Sequence, residues 1–265
     1  MPSEEPATAI PSLRQRRRAA AVQEIVNAAE QHITEHGPGA LSLRAIAQSL
    51  GMTVQALYHY FPSRDALVTA LIAKAYEDLA DALEEAVASA EDDPAVPRLM
   101  VVAESYRRWA VEHPELFQLL YGAPLRHYAA PAEGPTTQAV RRISGLFERA
   151  LFDGYTAEQF AAADMPELSA DFRKFTEGLT PDGRGELPAS ATALFLGAWG
   201  RMHGLVSLEV FGHTSFIGIH QEEIFRVEMQ SLYQDIRKRL PATGQPPKDA
   251  VDKRGTRDRQ GPASP

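Results

Sequence analysis

The sequence predicts an all-α fold, and three observations carry the prediction. Apolar residues recur at spacings of three and four along most of the chain. No stretch alternates apolar and polar with period two, and no block of β-branched residues sits between turns. The seams between apolar stretches hold Gly, Pro, Ser and Thr, the residues that stop and cap helices. The expected architecture is an N-terminal group of three helices in helix-turn-helix order, followed by a larger C-terminal helical bundle.

The first helix is written by Val22, Ile25, Val26, Ala29 and Ile33, one face of a 3.6-residue period. His36-Gly37-Pro38-Gly39 stops it, because Gly serves past a helix end and Pro prevents continuation. The second carries Leu43, Ile46, Ala47 and Leu50 behind Ser42, whose hydroxyl can accept a first-turn amide hydrogen. Gly51 interrupts. Thr53 precedes the third pattern, Val54, Leu57, Tyr58 and Phe61. Pro62-Ser63 ends it, and Ser63 can cap a long fourth helix through Leu67, Leu71, Ala75, Leu79 and Leu83, expected to run to about Ala90 before Asp92-Asp93-Pro94.

Helices are then predicted over Leu99–Val111, Glu115–Tyr121 and Thr137–Phe152, with a Pro/Ala/Gly loop at Ala123–Pro135. Shorter helical pieces fall around Ala157–Ala163 and Ser169–Thr176, followed by a Pro181-Asp182-Gly183 turn. Ala189–Phe211 and Gln221–Leu240 read as two strong closing helices. Residues 1–13 form a polar arm expected to be disordered, as is the Pro-, Gly- and charge-rich tail 241–265.

Composition sets outer limits. The 265 residues, 44% hydrophobic and 23% charged, suffice for one or two cored domains. With no cysteine, a disulfide framework, a Cys-ligated metal and a thiolate nucleophile are excluded, which fits a reducing cytoplasm. No apolar stretch follows Arg16-Arg17-Arg18, so no secretory signal is expected. Ala191–Phe211 is the most apolar run, but Arg201, His203 and Glu209 break it, so it reads as a buried helix and no membrane partner is expected. Net charge is −8 and uneven: residues 12–64 hold six arginines against three glutamates, a local +3, while residues 65–265 carry −9. A small basic module fused to a larger acidic one suits a nucleic-acid reader joined to another function.

The helix-turn-helix arrangement gives that asymmetry a mechanism. The second helix packs across the third through Ile46, Ala47 and Leu50 against Val54 and Leu57, and Gly51 allows the turn between them. The third helix is then held outward, able to enter a major groove. Its outward candidates are Thr53, Gln55, Ala56, His59 and Tyr60. Gln55 can pair with an adenine edge and Ala56 can touch a thymine methyl, while Thr53, Tyr58, His59 and Ser42 can donate to phosphates. Arg44 and Arg64 open the second and fourth helices, and Arg14 with Arg16, Arg17 and Arg18 forms an arm suited to phosphates or a minor groove.

The run from Ala45-Ile46-Ala47 through Leu50-Gly51-Met52-Thr53-Val54-Gln55-Ala56-Leu57-Tyr58-His59-Tyr60-Phe61-Pro62-Ser63-Arg64 to Leu67 resembles the signature of the TetR family of bacterial transcriptional regulators. The distinctive part is Leu57-Tyr58-x-x-Phe61 followed by Ser63-Arg64-x-x-Leu67, within a match over roughly residues 18–75. Arg64 stands where the family more often has Lys, which keeps the cation, and Met52 where Val is common. By this resemblance Ser42, Arg44, Thr53, Gln55, Tyr58, His59 and Arg64 are the expected DNA contacts, and Arg17 and Ala56 join them from the reading of the residues above. Further on, Trp109-Ala110-x-x-His113-Pro114 with Phe117 and Tyr121-Gly122, then Trp199-Gly200-x-x-His203-Gly204-Leu205, resembles the WHG-type C-terminal domain of that family. Residues 153–187 lie outside the pattern.

The resemblance implies operator DNA as partner of residues 14–78. For residues 79–240 it implies a homodimer built on the last two helices and a small-molecule effector pocket in the middle helices. Trp109, Phe117, Tyr121, Phe147, Trp199, Met202 and His203 are the candidate lining, although their spacings equally describe core. His203 reads first as a satisfied core histidine. No close His spacing suggests a metal, no cofactor is expected, and no GxSxG, P-loop or dinucleotide fingerprint supports catalysis, so no catalytic residue is assigned. Glu84-Glu85 and Glu222-Glu223 read as solvated faces. Two rivals stay open: a helical-bundle enzyme with an incidental helix-turn-helix, and an effector-independent architectural DNA binder, which a bundle without a cavity would favour.

Overall fold

The computed structural model describes residues 12–90, 96–122, 128, 131, 133–177 and 187–240. Eleven α-helices follow one another in these residues, with no strand among them: α1 (Leu13–His36), α2 (Leu43–Ser49), α3 (Val54–Tyr58), α4 (Arg64–Ser89), α5 (Arg98–Glu112), α6 (Pro114–Tyr121), α7 (Pro135–Phe152), α8 (Ala157–Ala161), α9 (Ala170–Glu177), α10 (Ala189–Val210) and α11 (Gln221–Arg239). The expected tail 241–265, the breaker Asp92-Asp93-Pro94 and the Pro181-Asp182-Gly183 turn lie outside the described residues, as does most of the arm.

Capping chemistry accounts for the early boundaries. Ser42, Thr53 and Ser63 each accept a hydrogen bond from the backbone N–H three residues on, at 3.3, 3.1 and 3.1 Å, each worth about 1 kcal/mol against alanine. Gly37 closes α1 at φ +79°, donating to the Ile33 carbonyl at 2.7 Å. A 3₁₀ turn over Pro38–Ala40 then leads to α2.

Two features differ from expectation. The helix α1 begins at Leu13, well before its first apolar contact, because Ser12 and Gln15 form a capping box that starts it in solvent. Arg14, Arg16, Arg17 and Arg18 are therefore helical, not a loose arm. A 3₁₀ segment at Ser215–His220, kinked at Gly218 (φ +61°, ψ −132°), fills the connection between α10 and α11.

The chain packs as two compact units. The first comprises the described residues to Glu85 with Ser105–Ile143; the second comprises Ala86–Glu104 and the described residues from Ser144 onward. In the first, Ile25, Ala29 and Ile33 of α1, Ile46 and Ala47 of α2, Leu57 of α3 and Leu67, Val68 and Leu71 of α4 make the core, and α6 packs on α1 with the buried ring of Phe117. In the second, α10 is central, packing on α8, α9 and α11 and burying Phe195, Ala198, Met202 and Val206.

Carboxylates that look solvated in sequence are in part engaged. Arg142 of α7 donates to Glu84 at 2.8 Å and to Glu77 at 2.7 Å on α4; its hydrogen bonds to Glu84 above all hold this guanidinium in its charged form. Arg226 reaches Glu222 at 2.7 Å and Glu104 at 3.0 Å. Glu85 and Glu223 are exposed, as expected of a solvated face.

Candidate nucleic-acid interface

α3 is five residues long and owes its place to one side chain. Leu57 is fully buried, at 0% exposure; α3 packs on α2, whose Ile46 and Ala47 are also buried, and α2 packs in turn on α1. Removing such a side chain to Ala costs about 2–5 kcal/mol. Gly51 sets the angle between α2 and α3 at φ +64°. A Cβ there meets no atom within 4 Å, so it is backbone conformation rather than space that selects glycine. Around it, Gly51 N–H donates to Gln48 and Met52 N–H to Ala47, at 3.1 and 2.9 Å.

With Leu57 inward, the opposite face of α3 is left to solvent. Thr53, Gln55 and His59 are exposed, Tyr58 is 41% exposed, and Ala56 and Tyr60 are half-buried. Tyr58 is thus a surface aromatic. Ser42 is half-buried and Arg44 exposed at the start of α2; Arg64 is half-buried at the start of α4; Arg17 is exposed on the first turns of α1. The cap oxygens of Ser42, Thr53 and Ser63 accept from the backbone, which leaves each hydroxyl proton for an outside acceptor. Arg14, Arg16, Arg17, Arg44 and Arg64 make no ion pair among the described residues. Uncompensated cations, free hydroxyl protons and a protruding polar helix face are the parts of a surface that binds a polyanion and reads base edges.

The first turns of α1 lie beside the end of α3. Arg18 Nη2 donates to the His59 carbonyl at 3.1 Å, and its guanidinium carbon sits 5.5 Å from the centre of the Tyr60 ring. Sequence reasoning did not assign this contact, because Arg18 is one of three adjacent arginines and nothing local separates it from Arg16 and Arg17.

The candidate pocket residues divide between the two units. In the first, Trp109 stacks on His113 at 5.1 Å, while Phe117 meets Tyr121 at 5.0 Å and Tyr106 at 6.2 Å. Tyr121 also meets Tyr76 at 5.9 Å. Burial raises the phenol pKa of Tyr76, Tyr106 and Tyr121, which come from α4, α5 and α6. Tyr76 and Tyr106 have no place in the sequence-derived set: each sits at core spacing, and spacing does not show that the hydroxyls converge. In the second unit, Phe147 meets Trp199 edge-on at 5.4 Å, and both line, with Met202, an apolar cavity of about 10 Å³, the scale of one water molecule. His203 stacks flat on Trp199 at 5.3 Å and pairs with Ser207 Oγ at 3.2 Å. Its desolvation lowers the imidazole pKa, which favours the neutral ring of a structural histidine.

Among the described residues no three His, Asp or Glu side chains are grouped to hold a metal, and no helix is long and apolar enough to cross a membrane. Residues 25–71 match the family described as bacterial regulatory proteins, tetR family, and residues 99–232 match the tetracyclin repressor-like C-terminal domain. The HTH-type transcriptional regulator Rv1816 of Mycobacterium tuberculosis is 37% identical over 193 residues, covering 71% of this chain and 80% of that protein. The solved structure of the putative regulatory protein SCO4313 superposes with a TM-score of 0.64 at 31% identity, covering 83% of this chain and 98% of that one. A protein with unknown function from Rhodococcus sp. RHA1 shares the fold, with a TM-score of 0.57 at 24% identity over 81% of this chain and 93% of that one.

Proposed function

Because this chain belongs to the TetR family, and is a DNA-binding transcriptional regulator and not an enzyme, we propose that it is a cytoplasmic repressor released from its operator by a small-molecule ligand. Residues 14–78 bind the operator; residues 79–240 dimerise and sense. The observation that carries the reading is the outward face of α3, where Thr53, Gln55, Tyr58 and His59 stand exposed over a buried Leu57. Gln55 and Ala56 meet base edges. Arg17, Ser42, Arg44, Thr53, Tyr58, His59 and Arg64 meet phosphates on either side.

The partner subunit is a second copy. Leu196, Leu208 and Phe211 on or beside α10 and Ile224 and Val227 on α11 are exposed apolar side chains on the two closing helices. Gly197, Gly200 and Gly204 of α10 have open space where a Cβ would point. To bind two half-sites, the dimer must set its two α3 helices on successive major grooves, about 34–36 Å apart. A ligand that prefers a dimer with another spacing lowers operator affinity by the ratio of its affinities for the two states.

A second reading, a DNA binder without an effector, has local support only: the cavity at Phe147, Trp199 and Met202 is the scale of one water molecule and takes no effector there. Gel shift with the DNA upstream of the chain's own coding sequence, repeated across a salt series, tests the DNA-binding half. Specific binding that falls with salt, by about 0.9 logarithmic units per phosphate contact for each tenfold rise in salt, is expected; binding indifferent to sequence contradicts it. Adding small-molecule pools to the preformed complex separates the two readings, since only the first predicts release.

A further inference from the structure

We propose that Arg18 is a positioning residue for α3: it fixes the trailing end of that helix to α1 and does not itself contact the operator. The inference rests on the reading that α3 and the start of α1 both face DNA. It begins from how little holds α3. A five-residue helix is not stable alone, and Leu57 is its one buried side chain. Thr53 secures the leading end. At the trailing end the amides of Tyr60 and Phe61 both turn back to the Leu57 carbonyl, at 2.9 and 3.0 Å, and the ladder stops there, since Pro62, three residues past His59, has no N–H to offer the His59 carbonyl.

Arg18 takes that carbonyl. One guanidinium donates to His59 O at 3.1 Å and lies over the Tyr60 ring at 5.5 Å, gripping two consecutive residues just past α3 from a point 41 residues earlier in the chain. A cation at this end also complements the partial negative charge of the last carbonyls. Arg14, Arg16 and Arg17 share the same exposed turns of α1. Arg17 is turned by about 100° round the helix from Arg18 and makes no ion pair among the described residues. The four arginines thus divide their work: Arg14, Arg16 and Arg17 keep their charge for phosphates, and Arg18 joins the surface that carries them to the helix that reads bases. Phosphate contacts and base contacts then hold one register.

The test uses the full chain with Arg18→Ala, Arg17→Ala, Tyr60→Leu and Tyr60→Phe. In the free protein, amide hydrogen exchange at Tyr60 and Phe61 should rise in Arg18→Ala and in Tyr60→Leu and stay at the wild-type rate in Tyr60→Phe, which keeps the ring. On operator DNA, Arg18→Ala should bind roughly five- to tenfold more weakly, a fraction of what one exposed cation–π contact and one charged hydrogen bond can supply, because DNA contacts still order α3 in the variant. The slope of log affinity against log salt should not change. Arg17→Ala should instead reduce that slope by about 0.9, one phosphate lost. A slope reduced by about 0.9 in Arg18→Ala, with exchange at the wild-type rate, makes Arg18 a phosphate ligand and overturns the proposal. Wild-type exchange together with wild-type affinity overturns it as well. The exchange arm needs no DNA: raised exchange in a protein that binds no operator would leave the clamp standing and remove the operator reading instead.

Discussion

α3 and the α10–α11 pair are both surfaces left open, and they differ in kind. α3 is short, buried through a single leucine, and shows solvent a threonine, a glutamine, a tyrosine and a histidine. α10 and α11 are 22 and 19 residues long, well buried on one side, and show solvent leucine, isoleucine, valine and phenylalanine. In the connection between them Phe216 and Ile219 are 86% and 92% exposed. A polar face with hydrogen-bonding groups suits a hydrated, charged ligand such as duplex DNA. Exposed apolar side chains suit another protein surface, because only burial removes their cost in water. The difference in what is exposed separates reading from assembly within one chain.

The largest effect should come from charging the apolar face. Leu208→Glu with Val227→Glu should convert the protein to monomers by analytical ultracentrifugation. It should also weaken operator binding by about 10²–10⁴, the scale lost when two linked contacts become one. A dimer that survives both substitutions would move the interface elsewhere. Next, Leu57→Ala should lower unfolding stability by about 2–5 kcal/mol in urea titration, since it empties the seat of α3. A loss under about 1 kcal/mol would show that α3 is not braced as described. Thr53→Ala removes one cap and should cost about 1 kcal/mol, visible as faster amide exchange at Ala56 with dimerisation unchanged.

The smallest effect concerns acid. Burial disfavours the His203 imidazolium, so the folded chain binds that proton more weakly than the unfolded chain. The associated stability is complete above the ordinary histidine value of about 6.5 and declines as pH falls below it. His203→Gln should flatten the pH dependence of thermal unfolding on the acid side of that value; an unchanged profile would mean that the ring is solvated in the folded state.

Much of the fold was legible because its boundaries are local chemistry. Gly37-Pro38, Ser42, Gly51, Thr53 and Pro62-Ser63 each act through their own backbone or the next turn, so sequence spacing places them. The early start of α1 was not legible, since residues 13–20 have no buried face and a polar arginine run gives no apolar period. Nor was the 3₁₀ segment Ser215–His220, whose side chains contribute nothing to the core. In the interface, the outward set of α3 follows from periodicity once Leu57 and Phe61 are taken as core. The Arg18–His59 contact, the convergence of Tyr76, Tyr106 and Tyr121 and the grip of Arg142 on Glu77 and Glu84 do not, because each joins residues far apart in sequence.

If the exposed face of α3 reads base edges, Gln55 must carry the preference for one base pair in each half-site. The direct measurement is the affinity of wild-type protein and Gln55→Ala for an operator series in which every base pair is changed in turn. Gln55→Ala should lose about 1–3 kcal/mol on the parent operator and become indifferent to one base pair in each half-site, with the salt slope intact. An affinity profile identical in shape to that of the wild type, whether weakened evenly or not at all, would contradict it.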